Sequence, residues 1–125
     1  MYTVLRFVGG GKGALDELGG SLNNIRPGIF KGLDKVGDRF SVSISANDDW
    51  SKHQNDVLDF LKQIQPVLVK MDRQAVALEC DIAVEPEDHA DFRGAFRTLS
   101  FMPDLIKAMV QECIALAVTI YKGDH

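Results

Sequence analysis

The apolar pattern of the chain predicts an α+β fold. The expected form is a two-layer sandwich, with a mostly antiparallel sheet and two main helices on one face, ferredoxin-like or a variant of it. Three observations carry this expectation. Segments 39–46, 74–84 and 113–121 alternate large apolar residues with polar or small ones, the period of a strand. The segment from Trp50 repeats its apolar residues at helical spacing. Stretches rich in Gly, Pro and Asp separate the two patterns.

The elements follow in order. Tyr2 to Val8 is rich in Val, Leu and Phe and ends at the glycines from Gly9, which predicts a strand. Ala14 to Asn24 places Leu15, Leu18 and Leu22 on one helical face, although Gly19 and Gly20 each cost a helix about 1 kcal/mol relative to Ala. Ile25 to Gly37, with Pro27 and three more glycines, reads as an ordered loop. In Arg39 to Ala46, Phe40, Val42, Ile44 and Ala46 share one face; Arg39, Ser41, Ser43 and Ser45 share the other.

Asn47, Asp48 and Asp49 offer an N-cap to a helix from Trp50, whose Val57, Leu58, Leu61 and Ile64 form its apolar stripe; Pro66 predicts an end or a kink. Gln74 to Val84 alternates Val76, Leu78, Cys80, Ile82 and Val84 against Ala75, Ala77, Glu79, Asp81 and Ala83. Glu85 to His89 is an acidic turn, and Phe92 to Phe101 a loop with a short strand at Thr98 to Phe101. Pro103 suits the first turn of a helix through Glu112, burying Leu105, Ile106, Met109 and Val110. Cys113 to Tyr121 is a last strand, with Ile114, Leu116, Val118 and Ile120 opposite Ala115, Ala117, Thr119 and Tyr121.

A chain of 125 residues suits one domain and can bury a core without covalent staples. Its 46% hydrophobic and 26% charged residues are those of an ordinary globular protein. The net charge of -4 argues against a nucleic-acid partner, which would favour a clustered positive surplus. Two cysteines are too few for a disulfide framework. No secretory leader is visible, and the longest apolar run, Ile114 to Ile120, falls far short of the ~20 residues that span a bilayer. A cytoplasmic location without membrane contact is therefore expected.

The whole pattern supports a resemblance. A first strand, a glycine-bearing loop, a second strand leading into Asp49-Trp50-Ser51-Lys52-His53, and a Pro-Asp-Leu-Ile helix before Ile-Ala-Leu-Ala-Val-Thr-Ile-Tyr121 together resemble a family of small bacterial domains of unknown function. The resemblance covers nearly the full chain. Some members are similar to immunity proteins of bacterial toxin systems, so it implies a non-catalytic protein and no catalytic residue to carry over.

Each candidate site in the sequence also admits a plainer role. Gly9, Gly11, Lys12 and Gly13 fit the G-x-G-x-x-A spacing, completed by Ala14, that lets backbone amides approach a phosphate. A tight turn needs the same glycines, and no alternating β-α-β layout surrounds them. His53 could be a general base or metal ligand, yet its place on the apolar stripe suits a hydrogen-bonded core histidine. Glu85, Glu87, Asp88, His89 and Asp91 are the densest hard ligands, without calcium-loop spacing, and no metal or other cofactor is expected. His125 ends the chain as a terminal residue expected to lack order. Cys80 and Cys113 lack any nearby feature that would lower a thiol pKa. Glu79 and Asp81 share the outer strand face, where carboxylates do acid/base work or meet a base such as Arg6 or Arg39.

The leading expectation is a non-catalytic protein-interaction domain, of bacterial immunity type, that binds through either the outer sheet face or an acidic edge. Arg39, Ser41, Ser43, Glu79, Asp81, Thr119 and Tyr121 are its candidate binding residues. The small residues Ala75, Ala77, Ala115 and Ala117 would also let two copies approach as a homodimer. A regulatory domain with a small-molecule ligand at Gly9 to Gly13 or at a dimer interface is the alternative. A metal-dependent hydrolase using His53 or the 85–91 cluster comes third.

Overall fold

The computed structural model describes residues 1–84 and 99–121. Its elements are β1 (Tyr2–Val8), α1 (Lys12–Ile25), β2 (Arg39–Ser45), α2 (Trp50–Lys70), β3 (Ala77–Val84), α3 (Pro103–Gln111) and β4 (Ile114–Ile120). The four strands form one mixed sheet in the order β2-β1-β3-β4. β1 runs antiparallel to both β2 and β3, while β3 and β4 are parallel. The fold is therefore α+β, with antiparallel pairing on both sides of β1. A helix stands between every two successive strands, three among the described residues where two main ones are expected from sequence. That order makes the domain a variant of the split β-α-β plan, and α3 belongs to the crossover that a parallel β3–β4 pair requires.

Strand alternation decides what the sheet buries. Thr3, Leu5 and Phe7 of β1, Phe40 and Val42 of β2, and Leu78, Cys80 and Ile82 of β3 are all buried. Apart from Thr3, they join one apolar core with Leu15, Leu18 and Leu22 of α1, Val57, Phe60, Leu61, Ile64 and Leu68 of α2, and Leu105 and Met109 of α3. Phe7 and Phe40 stack at 4.7 Å between centroids, and Phe30 meets Phe40 edge-on at 4.8 Å. Emptying such a site, for example by Phe→Ala, costs about 3–5 kcal/mol.

The glycines that weaken α1 on paper serve two purposes. A Cβ on Gly19 would lie 2.5 Å from the ring of Phe30, so the helix is kept bare there to receive an aromatic from the following loop. Asn23, one turn later, holds Phe30 in place: its Oδ1 accepts from the Phe30 amide at 2.8 Å. The ordered loop predicted over Ile25 to Gly37 is anchored by this clamp. Gly9, Gly10 and Gly11 all have φ near +90°, and a Cβ on Gly9 or Gly10 would lie 2.6 Å from Ala75 O or Val76 Cγ2. Only glycine combines that backbone with so close an approach.

Several boundaries differ from the sequence expectation, each for a local reason. α2 does not end at Pro66 but continues to Lys70. Proline removes one helical hydrogen bond, yet the fully buried Leu68 beyond it keeps the last turn docked. β3 starts at Ala77 rather than Gln74, because Asp72 captures the backbone first: its Oδ1 accepts from the amides of Gln74 and Ala75. Ala75 thus leaves the outer sheet face and packs under Gly9.

The apolar face of β4 is less covered than expected. Ile114 is buried, but Leu116, Val118 and Ile120 are 38%, 47% and 73% exposed, as Val110 of α3 is at 71%. Leu99, Ser100 and Phe101 are not strand. The Ser100 carbonyl instead accepts from Trp50 Nε1 at 2.8 Å and Gln54 Nε2 at 3.4 Å. The acidic turn at Glu85 to His89, Asp91, the first part of the loop from Phe92 through Thr98, and His125 lie outside the described residues.

Candidate functional site: the outer sheet face

The residues opposite the core form a grid set by strand register. Arg6 faces Glu79 across the β1–β3 pair, and Val4 faces Asp81. Thr119 faces Ala83 across β3–β4, which puts its hydroxyl diagonally beside Asp81. Arg6 Nη1 donates to Glu79 Oε1 at 2.9 Å and to Asp81 Oδ2 at 2.8 Å. Thr119 Oγ1 donates to Asp81 Oδ1 at 2.8 Å. Each carboxylate oxygen of Asp81 is thereby matched, and the residue is buried while the Glu79 side chain is 44% exposed. The hydrogen bond to Asp81 is the main reason that the Arg6 pKa is raised above its ordinary value.

Two tyrosines border the network. The rings of Tyr2 and Tyr121 stack with centroids 6.1 Å apart, and both residues are well exposed. Glu79, Asp81, Thr119 and Tyr121 thus gather toward the β1–β3–β4 end of the face. Arg39, Ser41 and Ser43 lie on the same face but on the outer strand β2, and Arg39 Nε donates to Asp34 Oδ2 at 2.9 Å instead. Of the two bases expected to meet the carboxylates, Arg6 does so. Tyr2 is not among the candidate binding residues drawn from the sequence, although its position two residues before Val4 places it on this face by alternation alone.

On the inner face of the same strand lies a polar cluster of another kind. His53 is fully buried. Its Nδ1 lies 2.8 Å from the Asn47 carbonyl, which can only accept, so Nδ1 carries the proton. Nε2 is then the acceptor for the Thr3 hydroxyl. Trp50 stacks on the imidazole at 5.9 Å. Burial lowers the His53 pKa, and the N-terminal ammonium adds to the effect; the Asn47 hydrogen bond and the carboxylates of Asp56 and Asp48 oppose it. A neutral ring with both nitrogens engaged and no exposed surface is a structural element. Neighbouring Gln54 works similarly, its Oε1 accepting from the Met102 amide at 2.7 Å to fix the entry to α3.

The remaining candidates separate. Burial pushes the Cys80 thiol up to about 12, with Asp81 and Glu79 adding to it, so it stays protonated at neutral pH. Cys113 is exposed and sits just before β4 with φ 52°, a conformation usual for glycine after a helix end. Gly11 caps α1, and Lys12 and Gly13 open its first turn, exposed. The strands joined through this loop are antiparallel, whereas the dinucleotide fingerprint belongs to a parallel unit. Among the described residues, no group of three or more His, Cys, Asp or Glu is placed to hold a metal ion, and no helix is long and apolar enough to cross a membrane.

The fold and site define a small α+β domain with an ionic and aromatic patch on its sheet. No protein-family model matches the chain, and no curated protein or solved structure matches it either.

Proposed function

We propose that this domain is a non-catalytic protein-binding module that recognises its partner through the outer sheet face. The observation that supports the reading is the exposed Tyr2–Tyr121 pair beside the Arg6–Glu79–Asp81–Thr119 network. Tyrosine and arginine are the residues that interfaces enrich, and an ordered ion network gives a partner a fixed pattern of charge. The alanines Ala77, Ala115 and Ala117 keep the surroundings flat enough for close approach.

Within this reading, the family resemblance favours a bacterial immunity-type protein acting in the cytoplasm, with a toxin as the occupant of the face. Self-association through the same alanines is the competing use. A second reading, a regulatory domain for a small molecule, draws on one feature. A cleft of about 550 Å³ between α1 and the end of α2 is bordered by Gly10, Leu18, Val67 and Met71, and lies within the size range of ligand sites.

The test is capture from a lysate of the source organism with tagged wild-type protein, Tyr121→Ala and Glu79→Lys in parallel. One protein retained by the wild type and lost by both variants, at similar thermal midpoints, is the expected outcome. Equal retention by all three would contradict the proposal.

A further inference from the structure

The opposite edge of the sheet carries a separate basic cleft. It has a volume of about 320 Å³ and lies between the loop after α1 and β2, lined by Arg26, Gly28, Lys31, Ser41 and Ser43 together with Pro27 and Ile29. The loop turns sharply here: the Ile29 amide donates to the Arg26 carbonyl at 3.2 Å, and Gly28 has φ 80° after Pro27. These are the marks of a type II turn, in which proline presets the first corner and glycine supplies the second.

Arg26 is held in place without being neutralised. Its guanidinium lies 4.8 Å from the centroid of the Phe60 ring, and Nη2 donates to the neutral Gln63 Oε1 at 2.8 Å. Among the described residues, neither Arg26 nor Lys31 forms a salt bridge with a carboxylate. Among the described residues, no acidic residue lines the cleft. In a chain of net charge -4, a recess lined by two cations that have no carboxylate partner among the described residues is a local reversal of charge.

We propose that this cleft binds the phosphate monoester group of a small metabolite. Two cations match a group that carries nearly two negative charges at neutral pH. The serine hydroxyls supply neutral donors for its remaining oxygens, and charge-assisted bonds from arginine and lysine are the stronger ones. The volume sits near the lower end of the range for small-molecule sites, roughly 300–1,000 Å³. A nucleic-acid backbone would need an extended basic stripe, and this is a single recess. Ser41 and Ser43 also lie on the outer sheet face, Ser41 opposite Arg6, so Arg26 and Lys31 are the residues that separate this inference from the protein-binding reading.

The experiment follows backbone amide shifts of the full chain during titration with inorganic phosphate, with chloride at matched ionic strength as reference. Saturable shifts are expected at Gly28, Ile29, Lys31, Ser41 and Ser43. Lys31→Ala should weaken binding roughly tenfold, the loss of one charge-assisted hydrogen bond, and a Ser41→Ala/Ser43→Ala double variant should weaken it as well. Lys35→Ala, in the same loop but outside the cleft, should bind as the wild type does. Shifts that do not saturate, or that Lys31→Ala and Lys35→Ala reduce alike, would overturn the proposal. Partner capture by Lys31→Ala should be unchanged, so the two proposals fail separately.

Discussion

β1 separates two polar clusters that solve the same problem differently. Thr3 points into the core and meets His53, a neutral pair in a site without solvent. Arg6, three residues on, points to the opposite face and meets Asp81 and Glu79 as ions. An unpaired charge on the inner side would face a desolvation cost of several kcal/mol, so its chemistry is neutral and both ring nitrogens of His53 are matched locally. The outer side retains solvent at Glu79 and Arg6, which lets charge persist there. Polar order inside the domain therefore serves the fold, while polar order outside leaves charge and aromatic surface exposed.

Substitutions can break this contrast, and the largest effect is expected inside. His53→Ala removes two hydrogen bonds and leaves a cavity under Trp50, so chemical denaturation should show a loss of about 3 kcal/mol. Asp81→Ala strips Arg6 and Thr119 of a buried acceptor; the same measurement should give about 2 kcal/mol, less because Arg6 keeps Glu79 and some water.

Acidification should act through the inner cluster. The folded His53 pKa is lowered below the unfolded value of about 6.5, so the unfolded chain takes up the proton first. The stabilisation is complete above that value and is lost as pH falls through the folded pKa. Denaturation midpoints of wild type and a His53→Gln variant, compared across this window, should converge toward acid. The smallest change is expected at Glu79→Ala, about 0.5 kcal/mol and reduced by salt, since that carboxylate is half in water. A Glu79 effect equal to that of Asp81 would erase the distinction between the ordered and the solvated halves of the network.

Much of the inner framework is legible in the sequence because it is periodic. The alternations around Phe40–Val42 and Leu78–Ile82 fix which residues enter the core, and Asp49 before Trp50 marks the start of α2, where it accepts from the Lys52 amide at 3.0 Å. Features that depend on distant partners are less legible. Gly19 reads as a helix defect until Phe30 is seen against it. Leu116, Val118 and Ile120 read as core because periodicity reports a face and not what lies over it.

The outer site is half legible for the same reason. Alternation placed Glu79, Asp81, Thr119 and Tyr121 on one face, but only register could choose Arg6 over Arg39 as the base and bring Tyr2 to Tyr121. The basic cleft combines a turn with a neighbouring strand, so no local pattern announces it.

Hydroxyl-radical footprinting of the captured complex against the free protein addresses the division between the two faces most directly. The expected result is protection of Tyr2 and Tyr121, with Met71 in the α1–α2 cleft unchanged. Protection of Met71 with both tyrosines still reactive would contradict the assignment of recognition to the outer sheet face.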